Sequence, residues 1–193
     1  MNYQNVSPLI ERVALSGPHG MMLQEEAKLL MWLADKTRGS IVELGCHVGI
    51  TTRLFAERFP HRRVIGVDFG LESLSIHPKQ RPERPSHDSI GLIAAGLPNV
   101  TIWKKPSRTI TYPDGCDFIF IDADHTLKGV SADSGKALRH LSGCVSGIVA
   151  WHDYLKTETW THVARFINRV IEPHHKVTHF VGTSIVAILK NVV

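Results

Sequence analysis

The sequence is poor in cysteine, in net charge and in long apolar runs, and each shortage removes a class of protein. Three cysteines, Cys46, Cys116 and Cys144, are few and odd in number, so a disulfide-stapled fold is not expected. No apolar run approaches the roughly 18–20 residues that span a bilayer, and no membrane association is expected. Met1-Asn2-Tyr3-Gln4-Asn5 has neither the basic start nor the apolar stretch of a secretory signal, which makes the cytoplasm the expected compartment. There is no internal repeat and no low-complexity tract. Lys and Arg outnumber Asp and Glu by only 22 to 18. The basic clusters His61-Arg62-Arg63 and Lys79–Arg84 are short and lack the interleaved aromatics that stack bases. They read as solvated faces, and nucleic acid is a disfavoured partner.

What is present fits one globular domain over residues 1–193, with 43% hydrophobic and 21% charged residues. Gln24–Lys36 carries apolar residues at helical spacing and closes an N-terminal helical segment, residues 1–40, with Gly39 as the stop. Ile41–Leu44 is a short buried strand, Gly45–Gly49 a turn, Thr51–Phe59 a helix stopped by Pro60, and Arg63–Asp68 a second strand. Residues 69–87 contain Pro78, Pro82 and Pro85 and are expected to form a mobile loop over the site. A helix is expected over Asp88–Ala95, capped by Ser86 or Asp88 and closed by Gly96. Val100–Trp103, Asp117–Asp122 and Gly147–Trp151 read as strands, Leu127–Leu141 and Thr157–Ile171 as helices. Val177–Val181 and Ser184–Leu189 flank Gly182-Thr183 as a terminal hairpin. Short apolar strands alternating with helices imply an α/β architecture, a mostly parallel seven-stranded sheet with helices on both faces and a C-terminal antiparallel hairpin.

The segment Val42–Thr51 (VELGCHVGIT) takes a strand through a glycine turn into a helix. Glycine permits positive φ and close approach, and the helix start offers free N–H groups to an anion. The turn reads E-x-G-x-x-x-G. It lacks the second glycine that a pyrophosphate requires, and Glu43 has the wrong charge to sit beside one. Both departures favour S-adenosylmethionine over a nicotinamide dinucleotide. Asp68 ends the second strand 23 residues beyond Gly45, where an acid binds ribose hydroxyls. The candidate cofactor-binding set is Glu43, Gly45, Cys46, His47, Gly49, Thr51, Asp68, Phe69, Ser107 and Asp122. Ser107 lies where such domains meet the adenine, and Cys46 is expected to line the turn without reacting.

Strands four and five end in Asp122-Ala123-Asp124-His125 and Trp151-His152-Asp153-Tyr154. In an open α/β sheet, ligands sit beyond the carboxyl ends of the strands. Asp122, His125, His152 and Asp153 would then converge, a donor set suited to a divalent cation such as Mg²⁺, Mn²⁺ or another transition metal. His125 could equally reach in as a general base, since imidazole titrates near neutrality. Either pair could also be a hydrogen-bonded support for its own turn. His174, His175 and His179 form a weaker candidate group.

On Ile41–Thr52, Val64–Asp68, Asp117–Val130 and Ile148–Tyr154 the chain resembles the class I, Rossmann-like methyltransferases of the methyltransferase 24 type. That group is related to catechol O-methyltransferases and metal-dependent sugar O-methyltransferases. The resemblance implies that the Thr51 hydroxyl holds the methionine carboxylate and Asp68 the ribose. It implies metal ligands at Asp122, His152 and Asp153, with His125 and Asp122 as catalytic residues. The relatives carry Asp-Asn or Glu-Asp where this chain has His152-Asp153, and imidazole disfavours Mg²⁺. The expected function is S-adenosylmethionine-dependent O-methylation of a small-molecule hydroxyl, and a homodimer is compatible with the sequence. The alternatives are an RNA or protein methyltransferase, a non-catalytic cofactor-binding domain, and an NAD(P) oxidoreductase on the same fold.

Overall fold

The computed structural model describes residues 22–69, 86–154 and 162–192. Five apolar segments pair side by side as parallel strands: β1 (Ser40–Leu44), β2 (Val64–Asp68), β3 (Val100–Lys104), β4 (Cys116–Ile121) and β5 (Gly147–Trp151). β6 (Thr178–His179) and β7 (Val186–Lys190) complete a seven-stranded sheet of order β3-β2-β1-β4-β5-β7-β6. β7 is antiparallel to both its neighbours and lies between β5 and β6. The strand order reverses direction at β1 and β4, which opens a crevice at their carboxyl ends.

Successive strand residues point to opposite faces, and the two faces bury different helices. Val42, Leu44, Ile119, Ile121, Val149 and Trp151 pack against α3 (Leu127–Gly143) and α4 (Val163–Phe166), which continues as a π-turn, Ile167–Ile171. Ile41, Val64, Phe118, Phe120, Ile148 and Ala150 pack against α1 (Gln24–Asp35) and α2 (Ile50–Arg58). The parallel sheet covered on both faces and its antiparallel hairpin are therefore present as expected.

Two expectations need correction, and three fall at least partly outside the described residues. No α-helix forms over Asp88–Ala95. A 3-10 turn, His87–Ser89, capped by the Ser86 hydroxyl, is followed by irregular turns. The N–H groups of Gly91 and Ile93 donate instead to the carbonyls of His47 and Val48, and Gly91 takes φ 67°, which a helix cannot contain. Arg62 is not a solvated charge: its guanidinium donates to the carbonyls of Gly39 and Ala34, to Thr37 Oγ1 and to Asp117 Oδ1, bracing the amino ends of β1 and β4. The first part of the N-terminal segment, the proline-bearing loop and the start of the Thr157–Ile171 helix fall outside the described residues. No helix among those described is long and apolar enough to cross a membrane.

Candidate active site

Between the end of β1 and the start of α2 the chain turns on three residues with positive φ: Gly45 at 90°, His47 at 49° and Gly49 at 95°. Gly45 is also required by space, because a Cβ there would lie 1.8 Å from the backbone oxygen of Asp122. A Cβ on Gly49 would meet the backbone of Gly91 at 3.0 Å. The glycines thus admit neighbouring backbone, from beyond β4 and from the 86–96 loop. Asp68 clamps the turn from β2: His47 N–H donates to its Oδ2 at 2.6 Å, and Phe69 N–H to its Oδ1 at 2.6 Å. Each oxygen keeps a further lone pair.

Glu43 is buried on the α2 face and accepts a short hydrogen bond from the Thr52 hydroxyl. It pairs in register with Gly66, where a Cβ would stand 2.8 Å from Thr52 Oγ1, so the bare position on β2 makes room for the pair. Burial pushes the Glu43 carboxyl up to about 8, helped by the charges of Asp122 and Asp68 and opposed by the bonds from Thr52 and Thr51. Thr51 lies in the first turn of α2, whose leading N–H groups have no partner within the helix. Cys46 is buried beside Gly66, and burial and nearby carboxylates push its thiol far above the usual range, as an unreactive lining residue requires. Ser107 starts a 3-10 turn after β3 and bonds to the buried Asp133 of α3.

The second half of the site forms where β4 and β5 end together. Ile121 pairs with Trp151, so the next residues, Asp122 and His152, leave the sheet side by side; His152 N–H donates to the Ile121 carbonyl. Alternation turns Trp151 toward α3 and His152 toward α1. Its Nδ1 lies 3.4 Å from Asp122 Oδ1 and 3.5 Å from Asp153 Oδ1. Asp153 takes a left-handed φ of 57°, which aspartate tolerates better than most residues. His125 Nε2 lies 2.9 Å from Asp153 Oδ2 and 3.6 Å from Asp122 Oδ1, though its angles fall short of a good hydrogen bond. All four expected residues therefore meet.

Their charges are strongly coupled. Burial would lower the pKa of His125, but Asp122 and Asp153 more than reverse this and raise it to about 9. Burial is likewise outweighed at His152, where Asp122, Asp153 and Glu26 push the ring up to about 12. Burial acts to raise Asp122 and Asp153, yet the two imidazoles hold both below the usual carboxylate range. The residue that sequence reasoning missed is Glu26. It is 3% exposed on α1, and its Oε2 lies 3.1 Å from His152 Nε2.

Asp122, His152 and Asp153 bring one ligand atom each to within 4.8 Å of one another. Two carboxylates and one imidazole suit Mn²⁺, Fe²⁺ or Zn²⁺ better than Mg²⁺. The histidine's far nitrogen already meets a carboxylate, the usual outer partner of a metal-bound imidazole. The donor set fits a divalent cation.

A glycine turn, an acid at the end of β2 and a seven-stranded sheet of this order define a class I methyltransferase fold. The family profile described as "Methyltransferase domain", of type 24, matches residues 42–154, more than half of the chain, and the chain belongs to that family. No curated protein sequence matches the chain. Among solved structures, the S-adenosylhomocysteine-bound methyltransferase of Podospora anserina is similar at 15% identity and TM-score 0.64, over 94% of this chain and 85% of that one. An O-methyltransferase of Bacillus cereus in complex with S-adenosylhomocysteine aligns at 18% identity and TM-score 0.61, over 95% and 91%. The S-adenosylmethionine-bound O-methyltransferase of Streptomyces achromogenes involved in tomaymycin synthesis aligns at 15% and TM-score 0.59, over 95% and 90%. At these identities the likeness is one of fold.

Proposed function

We propose that the protein transfers a methyl group from S-adenosylmethionine to a hydroxyl oxygen of a small molecule, assisted by a divalent cation. The observation that carries this reading is that the glycine turn and the acid–imidazole cluster share one backbone contact, Gly45 against Asp122. Cofactor and acceptor sites so joined can hold two reactants at one reacting distance, and methyl transfer is mainly a positioning task.

Bound at the turn, the cofactor would supply an electrophilic methyl group. The leading N–H groups of α2 and the Thr51 hydroxyl suit its carboxylate, Asp68 its ribose, and the turn residues Cys46, His47, Gly49 and Phe69 its flanks. Glu43 lies beneath the turn, and a nearby ammonium group would draw the proton off its raised carboxyl. Ser107 lies toward the adenine end. Asp122, His152 and Asp153 would hold the cation, which would acidify an acceptor hydroxyl. His125 carries a proton at neutral pH while the Asp122 and Asp153 carboxylates face it. Once those carboxylates are engaged elsewhere, His125 loses the partners that raise its pKa and becomes a competent base.

Calorimetry with S-adenosylhomocysteine, repeated with Mg²⁺ and Mn²⁺, tests the reading. Binding to the native chain is expected, with a loss of about tenfold or more in Asp68→Ala, since hydrogen bonds to a charged group are worth ~1.5–3 kcal/mol. Absence of binding in every condition overturns it.

A further inference from the structure

Both oxygens of the Glu26 carboxylate are engaged twice. Its Oε1 accepts from the backbone N–H and the hydroxyl of Ser184, both at 2.7 Å. Its Oε2 accepts from Leu23 N–H at 2.9 Å and from His152 Nε2–H at 3.1 Å. The two backbone N–H groups, one on each oxygen, can only donate to it. Glu26 therefore has no capacity to offer a proton to His152 in return, and the ring can meet it only through an N–H. Holding Nε2 on Glu26 turns Nδ1 toward Asp122 and Asp153. The ring of Phe120 packs beside the imidazole at 70°, with 6.2 Å between ring centres.

We propose that Glu26 is the positioning residue of the acid–imidazole cluster, holding His152 by its Nε2–H so that Nδ1 is the nitrogen presented to the two aspartates. Every cation or substrate atom that enters between Asp122 and Asp153 then meets a nitrogen whose direction is set from α1. Such outer carboxylates typically contribute 10–100-fold to metal affinity. Only that consequence rests on the cation reading above; the orientation of the ring does not.

The test uses the full chain labelled with ¹⁵N-histidine, with His152→Asn to assign the signal. A ring N–H of His152, slow to exchange and correlated to Nε2, is expected in the native chain and absent or shifted in Glu26→Gln. Glu26→Asp, which keeps the charge but is one methylene shorter, should restore part of the signal. Ser184→Ala removes one of the bonds that tie Glu26 to the hairpin, and it should keep the His152 signal. In parallel, Mn²⁺ binding followed by electron paramagnetic resonance should weaken about 10–100-fold in Glu26→Gln and stay unchanged in Ser184→Ala. An unaltered His152 signal in Glu26→Gln overturns the proposal. So does a native chain with no protected Nε2–H, a measurement that needs no folded variant. If the native chain binds no Mn²⁺, the cation reading falls and the ring signal alone decides the role of Glu26.

Discussion

The two halves of the site are made of different material. At the end of β1 the work is done by backbone: three positive φ values within five residues, N–H groups turned onto Asp68, and a glycine pressed on the carbonyl of Asp122. At the ends of β4 and β5 it is done by side chains, with Asp122, Asp153 and Glu26 gathered around two imidazoles. A backbone-built site cannot be retuned without changing the path of the chain. The side-chain cluster can change ligand or protonation state while the sheet stays as it is. The contrast predicts that substitutions in the first half cost stability and those in the second cost chemistry.

Gly45→Ala should be the most damaging change. Its Cβ would stand 1.8 Å from backbone, so the expected loss exceeds about 4 kcal/mol or prevents folding, measured by urea unfolding. A mild effect would show that the turn gives way and would dissolve the contrast. His125→Ala should lower methyl transfer by ~10²–10⁴-fold while leaving S-adenosylhomocysteine affinity nearly intact. An equal loss of both would make His125 a structural residue. Glu43 provides a pH signature. Its folded pKa, about 8, lies above the ordinary 4.5, so its contribution to stability is complete below pH 4.5 and is lost as pH rises through 8. Without cofactor, Glu43→Gln should remove this fall, and the melting difference between native and variant chains should grow in the variant's favour from pH 5 to pH 8. Gly182→Ala should have the smallest effect. Gly182 shares the positive φ of Gly45, at 84°, but a Cβ there meets nothing within 4 Å. Only the backbone strain remains, about 1–2 kcal/mol.

The same difference in material decided what could be read in advance. Glycines that set a chain path leave their mark in the sequence, so Gly45, Gly49 and the strand-to-helix passage were legible, as were the strands, from their apolar runs. The reason for those glycines was not, because Asp122 and Gly91 are distant in sequence from the residues they touch. Asp122, His125, His152 and Asp153 could be found by their places at two strand ends. Glu26 could not: at the third position of a helix it looks like a capping residue, and it does accept from Leu23 N–H. Thr52, which holds Glu43, stood one place from the threonine that the motif singles out. The expected helix over Asp88–Ala95 failed because its N–H groups were taken by His47 and Val48, partners that no local periodicity reveals.

The position of β7 bears on how the protein comes into being. β7 slots between β5 and β6, and Ser184 reaches Glu26 across 158 residues. Until β7 (Val186–Lys190) has left the ribosome, β5 presents a bare edge on which another chain could pair. The contact that closes Ser184 onto Glu26 spans 158 residues, and such distant pairings form slowly. Synthesis halted before Ser184 would lack both β7 and the partner that holds Glu26, leaving a nascent species prone to aggregate before it could act.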